Sequence, residues 1–137
     1  MDRTLIAVTL ASDDVRALST DVHWRLYVNP RWLEATDVPD VAAEEPFERM
    51  IAQWPGDRLL IFCDEDAEIA DPLAALGGAG PRGRPVAVLI GPEGGFDPAE
   101  RAMLLARPDV LRLSLGPRIL RADTAAVVAL ALVQARL

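Results

Sequence analysis

The chain of 137 residues lacks features that define several classes of protein. A single cysteine, Cys63, excludes a framework of internal disulfides. The lone histidine, His23, is too distant in sequence to suggest a zinc site with Cys63. Every apolar run is shorter than the roughly 18 residues that a membrane-spanning helix needs. The N-terminus also lacks the basic flank and cleavage site of a signal peptide. We therefore expect a cytoplasmic protein without a membrane segment or a bound metal.

Lysine is absent, and the charge is unevenly distributed along the chain. Residues 1–81 contain 6 arginines and 16 acidic residues, whereas residues 82–137 contain 8 arginines and 5 acidic residues. Arginine can bind phosphate in a bidentate manner, but an alanine-rich chain without lysine more often reflects coding bias. The basic residues are concentrated towards the C-terminal end.

The order of apolar segments predicts a single α/β domain. Strands are predicted over Arg3–Leu10, within "DRLLIFCDE", at "VAVLI" and within "DVLRLSLG". Helices are predicted in "PFERMIAQWP", near residues 71–76, in "DPAERAMLLAR" and in "ADTAAVVALALVQARL". Strand and helix alternate over the last 90 residues or so, which indicates a parallel sheet flanked by helices.

Two of the helices have recognisable beginnings. Asp97 fits an N-cap, Pro98 the first helical position, and Glu100 completes a capping box. The last helix is expected to be capped by Asp123 or Thr124. Three apolar residues of the earlier helix are predicted to face inward: Met103, Leu104 and Leu105.

Ligands of parallel α/β sheets bind beyond the carboxyl ends of the strands. Three loops meet this condition, namely Cys63–Glu65, Gly91–Phe96 and Leu115–Arg121. The middle loop, "GPEGGF", lacks the Lys-Ser/Thr ending of a phosphate loop and does not match the dinucleotide pattern. Its glycines fit equally well a ligand-binding loop and a tight turn that needs them only to relieve steric strain.

The last loop carries two arginines. Arg118 and Arg121 bracket Ile119 and Leu120, so that one turn could present both guanidinium groups to an anionic ligand such as a nucleic-acid backbone. The alternative is a pair of surface salt bridges with Asp123 or Glu93. For Cys63, a small buried hydrophobic residue is favoured over a nucleophile, because no base lies nearby in sequence.

The segments "VLIGPEGGFDPAE" and "LSLGPRILRADTA", in this order and spacing, resemble the paired signatures of the ribosomal RNA small-subunit methyltransferase E family. That family belongs to the SPOUT superfamily of trefoil-knotted methyltransferases. The resemblance implies a SPOUT-like α/β fold with a C-terminal trefoil knot and a homodimer. It also implies an S-adenosylmethionine-dependent enzyme that methylates N3 of a uridine in small-subunit ribosomal RNA.

The resemblance also implies roles for individual residues. Arg118 and Arg121 would stabilise negative charge on the uracil or bind a neighbouring phosphate, and Glu93 would orient a reacting group or the cofactor. Residues implied in cofactor binding are Gly91, Gly94, Gly95, Leu115, Gly116, Ile119 and Leu120.

Some features depart from the family pattern. We expect one domain over 1–137, with a shortened or diverged segment at 1–45 and without the family's N-terminal RNA-binding domain. Asp123 stands where the family has glutamate. Because the first half is acidic, RNA affinity would depend on the arginine-bearing end or on another protein. The alternatives are a non-catalytic remnant that dimerises or binds cofactor, and an ordinary flavodoxin-like sheet without a knot.

Overall fold

The structure, a computed structural model, describes most of the chain from residue 46 onwards together with one earlier strand. Expectations for the rest of segment 1–45, and the expected role of Glu93, fall outside the described residues. The described ranges are 6–9, 46–68, 70–79, 84–92 and 94–136.

Strands and helices alternate throughout the described ranges. The strands are β1 (Ile6–Thr9), β2 (Leu59–Cys63), β3 (Val86–Ile90) and β4 (Val110–Leu113). The helices are α1 (Phe47–Ala52), α2 (Pro72–Gly77), α3 (Pro98–Leu105) and α4 (Ala122–Arg136).

The four strands form one parallel sheet in the order β1-β3-β2-β4. In the centre, Ile61 of β2 pairs with Val88 of β3. All five residues of β3 are buried, because neighbouring strands lie on both sides and helices cover both faces. A continuous run of aliphatic residues is typical of such a strand. The predicted parallel sheet flanked by helices is confirmed.

Side chains that alternate along the strands supply two hydrophobic cores, one on each face of the sheet. In β2, Ile61 joins the core beneath α2 and α4, whereas Leu60 and Phe62 join the core beneath α1 and α3. Burial of each such side chain stabilises the fold by roughly 1.5–3 kcal/mol. Helix α4 contributes small residues spaced by one turn, which are Ala125, Ala129 and Val133.

The predicted capping box of α3 is confirmed. The Asp97 carboxylate accepts a hydrogen bond from the Glu100 backbone N–H at 2.8 Å, and the Glu100 carboxylate accepts one from the Asp97 N–H at 2.9 Å. Pro98 occupies the first turn, where its missing N–H leaves no hydrogen bond unmade. The loop after β3 therefore ends at a fixed position.

Two details predicted from the sequence are wrong. Leu104 is buried, but Leu105 is 45% exposed, because consecutive residues turn by about 100° around a helix and three in a row cannot all face inward. The predicted caps Asp123 and Thr124 lie within the first turn of α4. The helix starts earlier because the Ala125 N–H already donates to the carbonyl of Arg121 at 2.8 Å.

Candidate functional site

The three loops singled out in the sequence meet at one cleft beyond the carboxyl ends of β2, β3 and β4. Parallel neighbours end at the same edge of a sheet, which brings together loops that are about 20 or more residues apart in sequence. Apolar side chains and glycines form much of the lining. The residues concerned are Ile90, Gly91, Pro92, Gly95, Phe96, Leu115, Gly116, Ile119, Leu120 and Ala125.

Gly91 has no space for a side chain because the ring of Phe96 packs against it. A Cβ at position 91 would lie 2.6 Å from Cε2 of Phe96, well inside the 3.5–4.0 Å at which carbon atoms make contact. Phe96 is itself held by Phe62, whose ring meets it edge-on with centroids 4.7 Å apart. Gly91 and Phe96 both line the cleft, so the packing that requires the glycine also shapes the cleft wall.

The backbone conformation at Gly95 favours glycine. Its φ angle is +69°, a conformation that residues with a Cβ rarely adopt, and a Cβ there would lie 2.5 Å from Oε1 of Glu65. The Gly95 N–H donates to the carbonyl of Pro92 at 2.8 Å, which closes the turn. Gly94 is exposed and lies outside the cleft lining, and a Cβ at this position would meet no atom within 4 Å.

The loop after β4 forms the opposite wall. Gly116 has a φ angle of +111°, and its N–H donates to Oγ of Ser114 at 3.2 Å. Leu115 and Leu120 pack against the core beneath α4, whereas Ile119 is 82% exposed. This wall therefore contains two apolar side chains held by the core, Leu115 and Leu120, and one exposed to solvent, Ile119.

The two arginines of this loop have different positions. Arg118 is exposed and lines the cleft. Arg121, which immediately precedes α4, lies outside the lining, and its Nε is 3.7 Å from Oδ1 of Asp123. The side chains of this pair are 77% and 73% exposed, so the ion pair contributes little to stability and leaves the guanidinium accessible to a ligand.

One cleft residue, Asp64, belongs to an ion-pair network whose partners sequence reasoning did not identify. The side chain of Asp64 is fully buried and accepts hydrogen bonds from Arg101 on α3 at 3.1–3.2 Å and from Arg112 on β4 at 2.7 Å. The backbone N–H of Asp64 donates to the carbonyl of Leu113 at 3.1 Å. Asp64 thereby fixes the loop after β2 to two other elements.

The only signal of this network in the sequence was an acidic residue directly after a buried strand. Its arginine partners follow 37 and 48 residues later, and no local pattern selects them among the other arginines. Burial raises the pKa of Asp64, but the hydrogen bonds from Arg101 and then Arg112 outweigh it, so that the pKa falls below its ordinary value. The carboxylate therefore stays charged at neutral pH.

Cys63 also lines the cleft, where it is half-buried. Burial raises the pKa of its thiol to about 12, so the thiol stays protonated at neutral pH. Since the thiolate is the reactive form, this environment supports the interpretation of Cys63 as a small hydrophobic residue.

The cleft offers a ligand apolar packing surface and exposed backbone. Its apolar residues can pack against a planar ring, and the glycines at positions 91, 95 and 116 allow a ligand to approach the backbone closely. Among the described residues, no group of acidic, cysteine or histidine side chains could hold a metal ion. Within the same ranges, no helix is long and apolar enough to cross a membrane.

Known proteins match the part of the chain that forms the cleft. A family model described as "RNA methyltransferase domain" matches residues 34–134. A curated relative, the ribosomal RNA small subunit methyltransferase E of Rickettsia conorii, is 43% identical over 49 residues, which cover 36% of this chain and 20% of that protein.

Solved structures share the fold. The ribosomal RNA small subunit methyltransferase E of Neisseria gonorrhoeae, bound to S-adenosylmethionine, superposes with a TM-score of 0.63 at 22% identity and covers 96% of this chain. A Legionella pneumophila protein assigned as a methyltransferase, in complex with the same cofactor, gives a TM-score of 0.61 at 24% identity and covers 94%. The matches span 54% and 53% of those chains, so this chain corresponds to about half the length of each.

Proposed function

Since this chain belongs to the RNA methyltransferase domain family, we propose that it binds S-adenosylmethionine in the cleft and transfers its methyl group to RNA. The observation that carries the proposal is the convergence of the three loops on one cleft with apolar and glycine-rich walls. Two proteins that share the fold were solved with the same cofactor. The substrate we propose is small-subunit ribosomal RNA, with N3 of a uridine as the acceptor.

The residues present suit this cofactor. Leu115 and Leu120 would pack against the adenine, and the backbone around Gly91 and Gly116 would supply hydrogen bonds to its edge. When bound, S-adenosylmethionine supplies an electrophilic methyl group on a sulfonium. No phosphate loop is needed, because the cofactor carries no phosphate.

Arginines of the β4 loop would act on the RNA. Loss of the N3 proton leaves negative charge on the carbonyl oxygens of the uracil, and a guanidinium group can stabilise that charge through hydrogen bonds. Arg118 lines the cleft and suits this role. Arg121, exposed beside it, suits the adjoining phosphate. Neither can accept the proton, because arginine remains protonated in proteins. The proton would pass to water, the methyl group would bond to N3, and the cofactor would leave as the neutral thioether S-adenosylhomocysteine.

The proposal is tested by calorimetry with S-adenosylmethionine and by transfer of a labelled methyl group to small-subunit ribosomal RNA. Arg121→Ala should lower transfer by tenfold or more while cofactor affinity stays unchanged. Arg136→Ala, at the exposed far end of α4, serves as the control and should retain full activity. Full transfer by Arg121→Ala would contradict the assigned role, and cofactor binding without transfer by the unmodified chain would indicate a non-catalytic module.

The position of the methyl group is a separate test. Methylation at N3 removes the hydrogen-bond donor from the pairing edge of uracil, so reverse transcription should stop at the modified nucleotide. Unimpeded reverse transcription of RNA that has accepted the label would contradict N3 as the acceptor.

We also propose the trefoil knot and the homodimer that the resemblance implies, and the cytoplasmic location expected from the sequence. Ile119 is 82% exposed and Val127 is 70% exposed, and exposed apolar side chains of this size are what an interface between two copies would bury. Val127→Arg should therefore shift the protein from dimer to monomer in analytical ultracentrifugation. A dimer of unchanged stability would contradict this interface.

A further inference from the structure

The carboxylate of Glu65 interacts with Arg101 only through long-range electrostatics and makes no recorded hydrogen bond or ion pair with the described residues. Its neighbours on the loop after β2 are occupied: Asp64 is held by two arginines, and Oδ2 of Asp66 lies 3.0 Å from Nη2 of Arg101. Among the described residues, no hydrogen-bond donor or ion-pair partner is recorded for the side chain of Glu65, which is exposed and lines the cleft. It is therefore available to a ligand.

The side chain of Glu65 reaches over the glycine loop. Oε1 of Glu65 lies so close to Gly95 that a Cβ on that glycine would be 2.5 Å away. Gly95 has left-handed backbone geometry, so this close approach exists where a side chain is disfavoured in any case. The carboxylate thus lies against the loop proposed to form one wall of the cofactor site.

Asp64 keeps this arrangement rigid. Its buried carboxylate is bound by Arg101 and Arg112, and its backbone is bound to β4 through Leu113. Because Glu65 is the next residue, its backbone has little freedom to move away from the cleft. A ligand group placed above Gly95 would lie within reach of the Glu65 carboxylate, which extends from a fixed backbone.

The placement corresponds to a general arrangement in parallel α/β proteins. In dinucleotide-binding folds, an acidic residue beyond the end of one strand binds ribose hydroxyls, and a glycine loop follows the adjacent strand. Here β2, which leads into Glu65, is the direct neighbour of β3, which leads into the glycine loop. Of the charged side chains that line the described cleft, Glu65 alone is a free hydrogen-bond acceptor, because Asp64 is already bound and Arg118 can only donate.

We propose that Glu65 is a cofactor-binding residue that accepts hydrogen bonds from the ribose hydroxyls of S-adenosylmethionine. This inference rests on the proposed function and assigns the sugar-binding side of the same cleft. It predicts selectivity for a ribonucleoside cofactor over one that lacks these hydroxyls.

The test is calorimetry with two probes, S-adenosylmethionine and its 2′,3′-dideoxy analogue. Glu65→Gln keeps the shape of the side chain and removes its charge, so it should weaken binding of S-adenosylmethionine by about tenfold or more, as expected for hydrogen bonds to a charged group. The analogue should bind the unmodified protein and the variant with equal affinity. Glu68→Gln, an exposed residue outside the cleft lining, is the matched control and should bind both probes as the unmodified protein does.

The outcomes separate this inference from the proposed function. If the unmodified chain binds S-adenosylmethionine and Glu65→Gln binds it equally well, only the role of Glu65 is overturned. Equal losses for both probes would also overturn it, since the effect would not depend on the hydroxyls. Failure of the unmodified chain to bind the cofactor would overturn both proposals.

Discussion

Replacement of Gly91 by alanine should damage the fold and the cleft together. The new methyl group would lie 2.6 Å from the ring of Phe96, so ring or loop must move by about 1 Å to restore carbon contact. Phe96 is only 7% exposed and is held edge-on by Phe62, which leaves little room for that movement. Overpacking of this kind costs about 1–3 kcal/mol, and we expect a value in the upper half of that range.

The effect is measured by thermal unfolding and by calorimetry with S-adenosylmethionine. For a chain of this size, 1 kcal/mol shifts the unfolding temperature by roughly 2–4 °C, so Gly91→Ala should lower it by about 4–12 °C. Cofactor affinity should fall as well, because Gly91 and Phe96 both line the cleft. Gly94→Ala is the matched control. A Cβ at Gly94 meets nothing within 4 Å, so this variant should unfold at nearly the same temperature as the unmodified protein.

A double-mutant cycle tests the cause. Phe96→Leu removes the ring carbons that the new methyl group would meet, so the cost of Gly91→Ala should largely disappear in the Phe96→Leu background. The reasoning is refuted if Gly91→Ala is equally destabilising in both backgrounds, or if it leaves the unfolding temperature unchanged.

Two further predictions concern stability. Asp64→Asn should lower the free energy of unfolding by about 2–4 kcal/mol. This is somewhat less than the loss on breaking a fully buried ion pair, because Arg101 and Arg112 are partly exposed. The pKa of Asp64 is lower in the folded state, so its charge stabilises the protein above the ordinary aspartate pKa near 4. This stabilisation is lost as the pH falls through the folded-state pKa. The free energies of unfolding of the variant and the unmodified protein, measured with urea, should therefore converge between pH 7 and pH 2. Leu104→Ala should lower the free energy of unfolding in urea by about 2–5 kcal/mol, whereas Leu105→Ala should lower it by less than about 1 kcal/mol. Equal losses for the two variants would contradict the difference in burial.

The sequence predicted most elements of the fold because their signals are local. Val86–Ile90 is a continuous aliphatic run, and Asp97 with Glu100 forms a capping box that needs only residues three apart. The resemblance to the ribosomal RNA small-subunit methyltransferase E family, carried by two short motifs, is confirmed by the matches to the family model and to named relatives. The prediction that Leu105 faces inward was wrong, because three consecutive residues of a helix cannot all face the core.

Sequence by itself determined the parallel α/β architecture and the loops that follow the strands, because strand, turn and cap preferences depend on neighbouring residues. Only the tertiary structure decided which distant side chains meet. It joined Asp64 to Arg101 and Arg112 across 37 and 48 residues, and it placed Glu65 against Gly95. Such pairs depend on sheet order and helix packing, which no local pattern encodes. The glycines of the β3 loop illustrate both contributions. The sequence motif identified them, and the tertiary contact with the ring of Phe96 explains why position 91 must be glycine.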